Sequence, residues 1–508
     1  MHMSIGRDFA LLACSALCFV GCGPSEPRRP NVVLIVVDTL RADTVLDPKG
    51  DYTTPHIDAL AADGVLFPQA FAHAPMTLPA HASLFSSRPP FETGVVNNGQ
   101  AVPKDLPLLA EWLGTHGYES RAVTSLATLS SGESQPGLAR GFDAYDTDFS
   151  FIDPADRVFA RMEASLKGWR GRRPLFFFGH FSDPHEPYTS HENTDRDIAV
   201  LLDDTFLGPM AADNLTIWDR TVELSAGAHK LDFGSIYRFI IKHCTLEIDG
   251  IPLEIDWDKD PHRPGRRRTA SFAAPEPGGD YRLRLWLRDV ISPEEMRRRY
   301  AVEVEYVDQY VGSLVELLKE RGIYDDSLVI FTSDHGECLG ERSYFGHVQF
   351  LTNELLGVPL IIKPPRGHPM ALDPARLTRH MDLVPTILET IGVPALPGQQ
   401  GQSLLQPSDV VPVHISETHK PEAKKDKLAV HDDRYKMIYT VDDGSIRMFD
   451  LHEDPGELVD IFAQHADLRA DWPELLRKLA EAATHLKRKP GELAPELENE
   501  LRALGYGG

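Results

Sequence analysis

Asn31 opens an unbroken apolar run, NVVLIVV (31–37), that stops at Asp38. A β-branched run without polar alternation suits a strand buried on both faces, as in a parallel sheet. Three further runs share this character: PLFFFGHF (174–181), SLVIFTSD (327–334) and VPLIIKPP (358–365). Between them, apolar residues recur at helical spacing over 106–116, 154–169, 293–321 and 381–391. Strands alternating with helices predict an α/β sheet covered on both faces. In such sheets ligands collect at the carboxyl ends of the strands. Three of these strands end in metal-capable side chains: Asp38, His180 and Asp334.

Two regions break the alternation. Residues 206–289 carry short alternating runs (TVELSAG, YRFIIKHCTLEIDG, TASFAA, YRLRLWL) punctuated by Gly, Pro and Asp. They read as an inserted all-β module, a small sandwich. From 411 come VVPVHIS, KLAVHDD, YKMIYTV and IRMFDL, then a helix near 472–486. This predicts a smaller C-terminal α/β subdomain over 411–490, followed by a Glu-rich tail, 491–508. The remaining segments, 31–205 and 290–410, form the main body. KPEAKKDK (420–427) reads as a solvated loop.

The N-terminus is a targeting segment. Arg7 precedes an apolar stretch, 9–21, that ends at Cys22. It is too short for a ~30 Å hydrocarbon core, which needs ~20 apolar residues, and fits a signal peptide over 1–22. FVGC (19–22) looks like a bacterial lipobox, with cleavage before Cys22 and acylation of that residue. Residues 23–30 then serve as a tether. The expected location is outside the cytoplasm, as a bacterial lipoprotein on the periplasmic or outer face of the envelope, touching the membrane through its lipid anchor.

Composition narrows the function classes. The chain has 508 residues, a formal charge of −24 and 42% hydrophobic content. That content fills a core and excludes disorder as the governing state. Net negative charge, without a basic stripe interleaved with aromatics, argues against nucleic acid. Beyond the signal only Cys244 and Cys338 remain, with no CxxC pair, so no disulfide scaffold is expected. A metal would be held by oxygen and imidazole.

The chemistry centres on APMTLPAHAS (74–83). Pro79 belongs in a first helical turn, which puts Thr77 at the helix entrance. There a threonine can simply cap the helix, or the positive helix end can stabilise its alkoxide and an oxyanion. A metal is still needed to bring so weak an acid into play. Asp38 and the adjacent pair Asp334-His335 in SDHGE are the metal candidates, with Gly336 permitting a sharp turn. Such a donor set suits Mn²⁺, Zn²⁺, Mg²⁺ or Ca²⁺, tilted by the imidazole toward the transition metals. GHFSDPHEPY supplies His180, Asp183, His185 and Tyr188, and YFGHV supplies His347. These could surround an oxyanion, or each histidine could be structural.

In order and spacing, VVLIVVDTLRAD, TLPAHASLFSSRPP, HFSDPHEPY, LVIFTSDHGE and GVPLIIKPP resemble the sulfatase family of the alkaline phosphatase superfamily. So do 300–331, 381–405 and FDLHEDPGE (449–457). The resemblance implies an alkaline-phosphatase-like mixed, mainly parallel sheet flanked by helices, with one or two metals at its carboxyl edge. Asp38, Asp334 and His335 would be ligands, and Thr77 nucleophile and partial ligand. His185 and His347 match leaving-group acids or oxyanion contacts. Asn97, Asn98, His180 and Arg88 fall to substrate contact.

The chain also departs from the family. Sulfatases carry Cys or Ser, matured to formylglycine, in a C-x-P-x-R pattern; here Thr77 and His81 stand at the first and last positions. Oxidised threonine would be a ketone, so no formylglycine is expected. Thr39 replaces a second aspartate and His335 an asparagine, as on the phosphonate monoester hydrolase side of the superfamily. The expectation is a hydrolase of sulfuric or phosphoric esters using Mn, Zn or Ca and a covalent Thr77 intermediate, with phosphorus favoured. Its substrate would be a small ester, a glycan included. An envelope transferase and a non-catalytic glycan-binding lipoprotein are the alternatives.

Overall fold

The computed structural model describes residues 29–45, 47, 49–130, 137–148, 153–185, 188, 197–203, 205–211, 218–248, 251–259, 265–290, 293–407 and 412–486. The signal peptide, Cys22, most of the tether and the 491–508 tail lie outside these residues.

A seven-stranded sheet forms the centre. In chain order its strands are β1 (Asn31–Val37), β2 (Val65–Leu66), β3 (Glu119–Val123), β4 (Ala144–Asp146), β5 (Leu175–Phe181), β6 (Ser327–Thr332) and β7 (Leu360–Lys363). Across the sheet the order is β2-β7-β6-β1-β5-β3-β4. β1 runs parallel to both β5 and β6, and β3 is parallel to β5 and β4. β7 pairs antiparallel with β6, and β2 with β7. The apolar pattern grouped 358–365 with the parallel strands. Burial on both faces carries no directional information, so this run reads alike in either orientation. The connection 333–359 contains no long crossover helix, so the chain comes back antiparallel.

Alternation along β1 divides the core. Val32, Leu34 and Val36 face one layer, with Leu78, Ala82 and Phe85 of helix Thr77–Ser86 and Ile387 and Leu388 of Leu383–Thr390. Val33, Ile35 and Val37 face the other, with Val158, Met162 and Leu166 of Ala155–Gly168 and Val304, Val307 and Val311 of Pro293–Glu320. Phe176, Phe177, Phe178 and Phe181 of β5 are fully buried between these layers, each contributing about 2–3 kcal/mol by burial. This packing fixes the carboxyl ends of β1, β5 and β6 side by side.

Between β5 and helix Pro293–Glu320 lies an eight-stranded antiparallel sheet drawn from residues 197–290. Hydrogen bonds join all its strands into one sheet through the long strand Gly227–Ile248, whose register shifts twice. Val200, Leu224, Phe233, Leu246, Phe272 and Leu283 form its own core. Strands His414–Thr418, Lys427–His431, Tyr435–Thr440 and Ser445–Asp450 make a four-stranded antiparallel sheet. Helix Trp472–Leu486 packs on it through Trp472, Leu475, Leu476 and Leu479. Among the described residues no helix is long and apolar enough to cross a membrane.

Candidate active site

Three neighbouring parallel strands deliver the first groups. Asp38 follows β1, Asp334 follows β6 by two residues, and His180 is the penultimate residue of β5, level with Val36. Thr77 is the first residue of its helix, with extended Met76 as the cap position and no side-chain capping bond. Its hydroxyl does not serve the helix; Oγ1 lies 3.2 Å from Asp38 Oδ2, to which it donates. One turn on, His81 donates through Nδ1 to the Thr77 carbonyl at 2.8 Å. His180 Nε2 faces Asp38 Oδ2 at 3.6 Å, too long for a hydrogen bond, and His180 Nδ1 lies 3.0 Å from Ser125 Oγ.

Asp38, Asp334, His335, His81 and His180 are fully buried, and Thr77 is 1% exposed. Asp334 Oδ1 accepts from the backbone N–H of Thr39 at 3.2 Å and of His335 at 2.8 Å. Asp38 Oδ1, Asp334 Oδ2 and the Nε2 atoms of His335, His81 and His180 have no hydrogen-bond partner among the described residues; the nitrogens facing Asp334 Oδ2 are His335 Nε2 at 3.6 Å and His81 Nδ1 at 3.7 Å. Burial alone would raise Asp38, but the facing His180 and the His185 and His335 charges hold its carboxyl well below the usual range. Burial, then the Asp38 charge, pushes Asp334 well above it. Burial, then His347, pulls the His335 imidazole down to about 3.

Two buried carboxylates, each with an oxygen that lacks a hydrogen bond among the described residues, form a place where a cation could be held. Ligand atoms of Asp38, Asp334 and His335 lie within 4.8 Å of one another, and this oxygen–nitrogen set fits a divalent metal.

Two more histidines border the cluster. The His347 ring is 4.7 Å from His335 and 5.0 Å from His185, centroid to centroid. Behind it, fully buried Glu337 accepts from His347 Nδ1 at 3.3 Å. That contact fixes the tautomer and leaves Nε2 as the nitrogen able to exchange a proton. Sequence reasoning missed Glu337, although it stands in the quoted SDHGE motif, and it treated His81 only as a departure from the family pattern.

The remaining predicted contacts separate. Asn98 Oδ1 accepts from the Leu78 N–H at 2.9 Å, bracing the entrance of the Thr77 helix. Asn97 Nδ2 donates to the Lys420 carbonyl at 2.8 Å, tying the C-terminal unit to this loop. Arg88 donates to the carbonyls of Gly398 and Pro397 at 2.8 and 3.2 Å and is not brought to the cluster. Thr39 holds a left-handed backbone (φ 57°) that is unfavourable for a β-branched residue. Its hydroxyl turns back to the Asp38 carbonyl at 2.7 Å, so it does not reach the cluster as the family aspartate would. Gly336 does not supply a left-handed turn: a Cβ there would sit 2.1 Å from the Glu354 carbonyl oxygen, so the close approach requires glycine.

The family model described as Sulfatase matches residues 30–393, and that of the N-sulphoglucosamine sulphohydrolase C-terminal region matches 340–485. A choline-sulfatase of Rhizobium meliloti is 25% identical over 459 residues, covering 85% of this chain and 82% of the relative. A structure solved in complex with its substrate D-glucosamine-2-N,6-O-disulfate superposes with TM-score 0.61 at 17% identity, covering 91% of this chain and 99% of that one. The phosphonate monoester hydrolase of Agrobacterium radiobacter superposes with TM-score 0.58 at 19% identity, over 92% and 99% of the two chains. With the sulfatase model spanning well over half of its length, the chain belongs to the sulfatase family of the alkaline phosphatase superfamily and is an ester-bond hydrolase.

Proposed function

We propose that this enzyme cleaves phosphoric esters in preference to sulfuric esters through a covalent Thr77 intermediate. The observation that carries the reading is the Thr77 hydroxyl, released from any capping role and held 3.2 Å from the Asp38 carboxylate. A threonine has no route to an aldehyde hydrate, so its ester must be cleared by attack at phosphorus or sulfur.

Asp38, Asp334 and His335, with Thr77 as partial ligand, would hold the divalent ion. Bound there, it supplies Lewis acidity that lowers the hydroxyl pKa and neutralises charge on the transferring group. Thr77 Oγ, having released its hydroxyl proton to water, then forms a bond to phosphorus as the ester P–O bond breaks. His185 or His347 gives the departing alkoxide its proton. Water next attacks phosphorus, the P–Oγ bond breaks, and Thr77 regains a proton. Asn98, through the Leu78 N–H, keeps the helix entrance in place. Relatives among both sulfatases and phosphonate monoester hydrolases support keeping both ester classes in the test. The neighbour that binds a sulfated glucosamine supports a glycan ester as substrate.

The experiment takes the mature chain, stripped of metal and reloaded with Mn²⁺, Zn²⁺ or Ca²⁺. It compares kcat/KM on nitrophenyl sulfate, a phosphate monoester, a phosphate diester and a phosphonate monoester. A phosphorus preference that falls on the order of 10⁴-fold in Thr77→Ala is expected. Sulfate turnover above that of the phosphorus esters, or full activity in the variant, overturns the reading. We also propose that the chain is exported and anchored through Cys22. Incorporation of labelled fatty acid that Cys22→Ala abolishes is the expected result, and a wild-type chain that stays unlabelled refutes it.

A further inference from the structure

His347 stands between two residues with left-handed backbone: Gly346 has φ 102° and Val348 has φ 82°. Glycine takes such a conformation freely. For a β-branched residue it is strained, and strain of this kind persists only where the surroundings hold it. On the near side the hold is local. Strand Cys338–Leu339 pairs with Phe345–Gly346, Glu337 accepts from His347 Nδ1 at 3.3 Å, and the Tyr344 hydroxyl donates to the His347 carbonyl. On the far side the hold comes from the C-terminal sheet. Thr418 and Lys427 lie opposite each other at the end of the antiparallel pair His414–Thr418 and Lys427–His431. Fully buried Thr418 donates through Oγ1 to the Val348 carbonyl at 2.7 Å, and Lys427 Nζ donates to the Gln349 carbonyl. The loop between them grips both ends of the Gln349 amide. Gln349 Nε2 donates to the Glu422 carbonyl at 3.1 Å, and its Oε1 accepts from the Lys424 N–H at 3.0 Å. The run KPEAKKDK reads from the sequence as a solvated loop. Lys420, Lys424 and Lys425 are indeed exposed, yet the loop backbone is spent on Gln349.

We infer, on the reading that His347 is the proton donor, that the C-terminal sheet sets this histidine against the departing group. Thr418 and Gln349 are its positioning residues, and they act by holding Val348 in its strained conformation. Mere docking of the C-terminal sheet on the main body needs no strained residue. Here four bonds converge on the two residues that follow His347, and one of those two lies in the left-handed region. Without these bonds Val348 falls back to negative φ. The chain then turns at His347 and withdraws its ring from His335 and His185, now 4.7 and 5.0 Å away between centroids. The proton no longer reaches the oxygen of the leaving group as the ester bond breaks. A leaving group that is stable as an anion, such as nitrophenolate, loses little by this. An alkoxide, the leaving group of a sugar or other alkyl ester, loses most. The C-terminal sheet thus fits the enzyme for alkyl esters.

The test takes the full mature protein loaded with divalent metal and measures kcat and KM on benzyl and 4-nitrophenyl esters of phosphate and of sulfate. The readout is the benzyl-to-nitrophenyl ratio of kcat, in whichever ester class the wild type turns over. His347→Ala gives the ratio without the proton donor. Thr418→Val keeps the shape and removes the hydroxyl, and Gln349→Ala truncates a half-buried side chain. Each should lower the ratio by roughly 10- to 100-fold, towards the His347→Ala value, with KM little altered. Adding Val348→Gly to Thr418→Val should restore most of the ratio, because glycine keeps a positive φ without being held. A drop that Val348→Gly leaves unrepaired overturns the inference. Wild-type ratios in both Thr418→Val and Gln349→Ala, beside a low ratio in His347→Ala, overturn it as well and leave the proposed function standing. A wild-type ratio in His347→Ala removes His347 as the donor and the inference with it; the covalent route is then decided by Thr77→Ala alone.

Discussion

The molecule buries two clusters of histidines, and only one has the makings of a catalytic centre. The first holds His81, His180 and His335 around Asp38 and Asp334. The second, at the seam with the C-terminal sheet, holds His73, His414 and His431, with ring centroids 4.6 Å apart for His73–His414 and 4.9 Å for His414–His431. His380 is likewise buried, between Thr332 and the seam. All four have one ring nitrogen without a hydrogen-bond partner among the described residues, so neither burial nor such a nitrogen separates the clusters. Carboxylates do. The seam histidines bond backbone carbonyls: His73 that of Ile415 at 2.7 Å, His414 that of Ala72 at 2.9 Å. The neighbouring Asp382 is consumed by Arg379 at 2.8 Å. In the first cluster Asp38 and Asp334 keep an oxygen idle, and it is this unmet negative charge that calls for a cation.

The largest test of that contrast is Asp334→Asn. Removing one carboxylate should lower metal affinity at least ~100-fold, at or beyond what outer-shell partners cost. The rise in thermal midpoint on adding Zn²⁺ should vanish with it, because ligand-linked stabilisation requires binding. A variant that binds and responds to Zn²⁺ like the wild type would break the comparison. Glu337→Gln is the next largest. Loss of the buried carboxylate behind His347 should reduce kcat about 10-fold and displace the pH profile, with metal content unchanged. An unchanged profile would reduce Glu337 to a packing group.

The seam gives the smallest effect, and its sign is fixed by burial. Burial pulls His73 down to about 4 and His380 and His431 down to about 3. Unfolded, these groups take up protons near pH 6.5, whereas folded they resist until near pH 3–4. Their stabilisation is therefore complete above pH 6.5 and is lost as pH falls through 6.5 toward 4, by about 1.4 kcal/mol per pH unit for each group. Urea midpoints measured at pH 7, 6 and 5 should fall, and His431→Gln should flatten the slope while leaving kcat/KM within 2-fold. A large activity loss in His431→Gln would make the seam part of the site.

What was legible in the chain follows from the same physics. Unbroken apolar runs ending in Asp38, His180 and Asp334 placed three functional groups at one sheet edge, because both faces of those strands are buried. Strand direction at Leu360–Lys363 was not legible, since an all-apolar run has no polarity. Nor was the approach of His81 to His180, whose ring centroids lie 5.1 Å apart. One sits a helical turn past Thr77 and the other at the end of β5, and only the packing of that helix on the sheet brings them together. Arg88 looked like an anion contact by its place near the motif, yet its guanidinium is spent on two backbone carbonyls.

The position of β1 sets an order of assembly. Its neighbours are β5 and β6, and the bond between the Thr39 N–H and Asp334 spans 295 residues of chain. As the polypeptide emerges from its N-terminus, β1 waits unpaired on one edge while the inserted β-sheet, which has its own core, can already close. Asp38 thus meets Asp334 only when some two thirds of the chain is out. A truncated or stalled chain would hold every residue of the Thr77 helix and lack Asp334 and His335. Asp334, His335, Glu337 and His347 all follow β6, so the site is completed only after that strand has joined the sheet.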